Sequence, residues 1–166
     1  MASLLAQLAD AFEEQAEYYE QLLALSEEKK ETVIKNEIDS LQKITDLENI
    51  LISKNSRADK NREQLMSDLA SVYGFAREQL SVEKLLSITT DEPESARIRA
   101  AAAGIRKTAE ELGAINKQNR TLIENSLDYI NFSVNLIKGA MQNEPTFYSA
   151  SGDEIDNGRG FFDAKQ

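Results

Sequence analysis

"NRTLIENSLDYINFSVNLIKGAM", residues 119–141, is the stretch that decides the fold. At about 100° per residue, Leu122, Ile123, Leu127, Tyr129, Ile130, Val134, Leu136, Ile137 and Met141 fall on one half of a helix, and Phe132 widens that arc to about 220°. A helix resting on one neighbour needs a narrower stripe. Three arrangements satisfy so wide a face: a central place in the chain's own core, self-association of two copies, or a groove that takes a partner helix. Each requires a long helix, so the reading works outward from one.

Upstream, "DEPE" supplies a helix start, with Asp91 as N-cap, Pro93 in the first turn and Glu94 as the reciprocal acid. From there to about Met141 nothing stops the chain, although Gly104 and Gly113 weaken the helix slightly. Its first half shows a narrow stripe of Ile98, Ala102, Ile105, Ala109 and Leu112. The wide arc is confined to its second half. "SVEKLLSI" before it predicts two turns of helix capped by Ser81.

Two further stretches repeat apolar residues at alternating spacings of four and three. From about Ser3 to Lys35 the seam is Leu5, Leu8, Phe12, Gln15, Tyr19, Leu22, Ser26 and Val33, with Leu4, Ala11, Tyr18 and Leu25 as a second stripe beside it. The next helix is expected from "NEID", capped by Asn36 with Asp39 as the acid of a capping box, to Gly74. Its seam is Leu41, Ile44, Leu51, Ala58, Leu65, Leu69 and Val72, and a polar ladder of Glu48, Asn55 and Arg62 recurs every seven residues at the edge of that seam. Such a ladder fits register control in a bundle. The expected fold is therefore all-α: a long antiparallel helical bundle or coiled coil of three long helices, near residues 3–35, 37–74 and 94–141, with a short connecting helix. Residues 1–142 form the helical domain, and residues 143–166, rich in Gly, Ser, Asp and Asn with isolated aromatics, read as a flexible C-terminal tail. Phe147, Tyr148, Phe161 and Phe162 are its candidate contacts, able to fold back on the wide apolar face.

Composition narrows the chemistry. The chain of 166 residues carries 19 basic and 29 acidic residues, a net charge of -10 that repels phosphate backbones and anionic membranes, so nucleic acid is not an expected partner. It has no cysteine and no histidine, which removes thiolate nucleophiles, the usual general base, zinc ligands and helix-borne di-iron sets. "GDEIDNG" approaches a calcium loop but places Ile155 at the third ligand position and Ala164 at the twelfth. No catalytic, cofactor-binding or metal site is expected, and the chain reads as a non-enzyme. The N-terminus lacks a basic region ahead of its apolar residues, and no run is long enough to span a bilayer, so the expected location is cytoplasmic.

The same residues carry a resemblance. The opening helix "LLAQLADAFEEQAEYYEQLLALSEEKKETVIKNEIDSLQKITDLENIL", Arg62 and Leu65 within "NREQLMSDLA", and above all "NKQNRTLIENSLDYINFSVNLI" are similar to the FlgN family of flagellar export chaperones over essentially the whole sequence up to Met141. The closing "FFDAKQ" is similar to the aromatic ending of FlgN-like chains. This resemblance implies a cytosolic, non-enzymatic chaperone that binds the C-terminal helical segment of hook-associated (hook-filament junction) proteins and helps deliver them to the export gate. It places the partner site on Leu122, Ile123, Leu127, Tyr129, Ile130, Phe132, Val134, Leu136, Ile137 and Met141. Two alternatives stay open: a structural coiled coil that self-associates as a homodimer through this face, and a chaperone or adaptor for another helical client.

Overall fold

The computed structural model describes residues 3–142, and these are helical almost throughout. Four α-helices follow one another: α1 (Leu4–Ile34), α2 (Ile38–Tyr73), α3 (Val82–Ile88) and α4 (Glu92–Gln142), with a 3-10 turn at Arg77–Gln79. Among the described residues there is no strand. The chain divides at Ser126 into two compact units, 1–126 and 127–166, and α4 contributes to both.

The ends of the helices are set by local chemistry. Ser3 caps α1 through a 3.0 Å bond from the Ala6 amide, and Ser81 caps α3 through a 3.1 Å bond from the Lys84 amide. Asp91 caps α4 as expected: its carbonyl accepts from the Ser95 amide, and its Oδ1 lies 3.4 Å from the Glu94 amide. Glu94 does not reach back to complete the box; its carboxylate pairs with Arg97 one turn on.

Between α1 and α2 the structure departs from the sequence reading. Asn36 is not the cap of α2; it sits in the left-handed region at φ 58°, and α2 begins at Ile38 after Glu37, which makes no side-chain cap bond. The Asn36 amide donates to Val33 O and the Glu37 amide to Thr32 O, so both last-turn carbonyls are answered by the chain that leaves the helix. Asparagine serves either role, because its short side chain caps a helix start and also tolerates left-handed backbone. Gly74, at φ 73°, closes α2 with the same pair of bonds, from Gly74 to Ser71 O and from Phe75 to Ala70 O.

In the first unit, α1 and α2 approach most closely, and their contacts run in opposite chain directions, from Phe12 beneath Arg62 through Gln15 with Asn55 to Lys29 with Glu48. Contacts from α1 to α4 run in the same direction, from Asp10 and Glu13 with Arg97 to Lys30 with Gln118. Leu5, Leu8, Ala9 and Phe12 of α1, Leu65, Met66 and Leu69 of α2, Leu85 of α3 and Ile98 and Ala101 of α4 form one buried apolar cluster, closed by Leu80 from the connection. Much of the expected seam is there, shifted in places. Val72 is exposed, Tyr19, Val33 and Leu41 are only half-buried, and Ala101 and Thr108 are more buried than the expected Ala102 and Ala109.

The polar ladder of α2 finds partners on α1. Gln15 Nε2 donates to Asn55 Oδ1 at 3.3 Å, Lys29 pairs with Glu48, and the Arg62 guanidinium stands 5.0 Å from the centre of the Phe12 ring while pairing with Asp59. Arg97 is the counterpart on α4. It bonds Glu13 through Nε and Nη2, Asp10 through Nη2 and Glu94 through Nη1, which fixes the start of α4 against α1. Those bonds raise the arginine's own pKa, and the bond from Arg97 holds the Glu13 carboxyl below the usual carboxylate range.

Candidate partner-binding site

Helix α4 changes character along its length. Ser95, Ile98, Ala101, Thr108 and Asn119 are its buried residues, spaced by threes, fours and their sums as one face against the core requires. No described residue after Asn119 is buried. Leu122 and Ile123 are half-buried, and Leu127, Tyr129, Ile130, Phe132, Val134, Leu136, Ile137 and Met141 are exposed, from 42% for Val134 to 71% for Tyr129. The structure thus presents eight of the ten residues singled out in the sequence to solvent and leaves the other two partly covered.

Two serine hydroxyls of this segment are turned inward on the helix itself. Ser126 Oγ donates to the Leu122 carbonyl at 2.9 Å, and Ser133 Oγ to the Tyr129 carbonyl at 2.9 Å. Hydroxyls spent on the preceding turn leave their carbons as the outer surface, so the face becomes more apolar than its serines suggest. Asp128 and Lys138 are the only charged residues between Leu127 and Gln142. A contiguous face of this kind is what an amphipathic helix buries against another; monomeric soluble proteins rarely leave one bare.

The first unit holds a separate feature that the sequence reading did not single out. A groove of about 500 Å³ has Leu22 and Ser26 of α1, Ile52 of α2 and Leu112, Asn119 and Ile123 of α4 among its lining. Its floor is polar and largely self-satisfied: Ser26 Oγ donates to Asn116 Oδ1 at 3.0 Å, and Asn119 Nδ2 donates to the Ser26 carbonyl at 2.7 Å. Asn119 Oδ1 is buried without a protein partner. The signal in the sequence was Ser26 inside an apolar seam, and Asn119 on the buried stripe three turns after Thr108.

Among the described residues no three acidic side chains gather where they could hold a metal ion. No helix among them is long and apolar enough to cross a membrane. Phe147, Tyr148, Phe161 and Phe162, the expected tail contacts, lie outside the described residues.

Neither a comparison with curated proteins nor one with solved structures gives a match. The family described as FlgN protein does match, over residues 1–154, which takes in all four helices and the whole exposed face. On that match, which covers nearly the entire sequence, the chain belongs to the FlgN family.

Proposed function

We propose that this flagellar export chaperone binds the C-terminal helical segment of hook-associated proteins along α4, from Leu122 to Met141, and delivers them to the export gate. The FlgN family supplies the chaperone role; the choice of client and the delivery step are inferred beyond it. One observation supports the site: eight large apolar side chains stand exposed on four turns of a single helix, in a protein whose other long helices keep most of their apolar seams buried. A client helix that lays its own apolar stripe there removes both surfaces from water, at about 25 cal/mol per Å². The role is binding, not catalysis. In this reading α1, α2 and the first part of α4 form an antiparallel three-helix bundle, and that bundle is the scaffold on which the binding helix is built.

The experiment replaces Ile130, Val134 or Ile137 with Asp and measures two quantities. Affinity for a synthetic peptide of the C-terminal helix of a hook-associated protein should fall at least about 100-fold, because a charge is left unpaired in an apolar contact. The thermal melt of the free protein should move by no more than about 2 °C, since these side chains are exposed already. A large loss of melting temperature would show the face to be core and end the proposal. Sedimentation over a range of concentrations separates the rival, because a stable homodimer formed through the face would leave the peptide no access.

A further inference from the structure

We propose that the groove lined by α1, α2 and α4 is a second client contact: it takes an amphipathic helix whose apolar stripe carries one uncharged hydrogen-bond donor, an amide or a hydroxyl, that meets Asn119 Oδ1. The inference rests on the reading of the chain as a chaperone for helical clients and adds a site within the first unit, whose lining residues all precede Leu127.

The groove has the length that a helix needs. Its lining on α4 runs from Leu112 to Glu124, about 18 Å at 1.5 Å per residue, or just over three turns. Ile52 of α2 is 55% exposed, and Leu112 and Ile123 of α4 are half-buried, so apolar surface stays uncovered along it. A space of about 500 Å³ drawn out over three turns receives the successive side chains of one helix stripe, which recur every three or four residues. A compact small ligand would cover one turn and leave the others wet.

One polar atom of the lining asks for a partner. Asn119 is 2% exposed, and its Nδ2 is spent on the Ser26 carbonyl at 2.7 Å, which fixes the amide: turned over, it would set oxygen against oxygen. Oδ1 is then a buried acceptor with no donor from the protein, and such an atom is costly to leave unmet. A leucine would fill the position without that cost. Asn116 and Ile123, at i−3 and i+4, are the neighbours of Asn119 on the helix surface, and neither is buried, so a change of rotamer in either can admit a donor from the groove.

Charge fixes the kind of donor. Four charged residues line the groove, and they are paired among themselves, Lys29 with Glu48 and Arg120 with Glu124. No carboxylate of the lining is left for a lysine or an arginine, and a cation there would lose its water without a counter-ion. An amide or hydroxyl between aliphatic residues loses less and supplies the one bond that Oδ1 lacks. The acceptor also fixes register, because a client helix displaced by one turn sets an apolar side chain against it.

The probes are two synthetic helices, each about 18 residues long, with the same leucine stripe and with alanine, lysine and glutamate elsewhere. They differ in one central stripe residue, Gln or Leu. Both are titrated against full-length protein carrying Ile130→Asp, which takes the exposed face of α4 out of the measurement. With Asn119 present, the Gln peptide should bind about 3- to 10-fold more tightly than the Leu peptide, the worth of one hydrogen bond, and Asn119→Leu should reverse that preference. Ile52→Asp should weaken both peptides at least about 10-fold. Because Ile52 is exposed, the melting temperature should move by no more than about 2 °C, which keeps the test decisive even if Asn119→Leu unsettles the fold. A Gln peptide that does not bind, a preference that Asn119→Leu leaves unchanged, or binding indifferent to Ile52→Asp overturns the proposal. The face of α4 is judged apart, with the hook-associated C-terminal peptide. Binding weakened by Ile130→Asp but not by Ile52→Asp sinks the groove and leaves the face; the reverse sinks the face and leaves the groove; indifference to both sinks both.

Discussion

The two halves of α4 share one continuous backbone but differ in what surrounds them. From Ser95 to Asn119 the helix carries small or polar residues between its large ones, is pinned by Arg97 to two carboxylates of α1 and buries one narrow face. From Leu127 to Met141 it carries more apolar surface and buries none of it. Hydrophobicity therefore did not decide which half joined the core. The narrow stripe, with Ala101 and Ala102 beside Ile98, packs into the cluster shared with α1, α2 and α3, whereas an arc wider than half the helix has no single neighbour that could cover it. The lesson is that an over-wide apolar arc marks surface in waiting rather than a stronger core.

The comparison breaks most visibly with one substitution made twice. Ile98→Asp puts a charge at a fully buried position and should abolish the cooperative melt or lower stability by several kcal/mol, read by circular dichroism. Ile130→Asp should leave that melt within about 2 °C. Equal effects would erase the distinction between the halves.

A smaller effect sharpens it. A Cβ added at Gly113 or Gly139 meets no atom within 4 Å, so Gly→Ala at either position changes helix propensity alone, by about 0.5–1 kcal/mol. In the first unit, Gly113→Ala should raise the global melting temperature by about 2–4 °C. Gly139→Ala should leave it unchanged and instead slow amide exchange locally between Leu136 and Gln142.

The smallest effect is that of pH. Arg97 holds the Glu13 carboxyl, and Arg77 the Glu63 carboxyl, below their ordinary range. A lowered folded-state pKa gives stability that is complete above the unfolded value and is lost as pH falls through the folded one. Melting temperature should therefore drop below about pH 4.5, by no more than about 3 °C from these exposed pairs. Arg97→Gln should flatten the part that comes from Glu13. Because the exposed half of α4 holds no such pair, peptide binding should not follow this curve.

Most of the helical pattern was legible because it rests on short-range rules. Ser81, Asp91 and Gly74 mark ends that a cap or a left-handed residue enforces locally, and the spacing of Leu5, Leu8 and Phe12 or of Leu65 and Leu69 names a face without reference to the partner. Asn36 was misread because the residue suits two opposite tasks, and only the amides of Asn36 and Glu37, both turned back to α1, decide between them. Val72 carries the right period but falls on the last turn of α2, where it is left exposed. Arg97 gave no sign of its role, since Asp10 and Glu13 belong to a helix at the far end of the sequence. The arc of α4 was legible as a face; its exposure was not, because periodicity reports which side is apolar and never what lies opposite.

The ladder of Glu48, Asn55 and Arg62 limits what lengths the α1–α2 hairpin tolerates. An apolar seam repeated every seven residues looks the same to itself after a shift of one heptad, and greasy contacts alone would accept the slipped pairing. The ladder does not. Shifted by one step, Lys29 would face Asn55, Gln15 would face Arg62, and the Glu48 carboxylate would lose its ammonium partner. The hairpin thus works like a key with three differently cut teeth, and a seven-residue insertion or deletion in α2, silent to every hydrophobic pattern, would still be rejected at the lock.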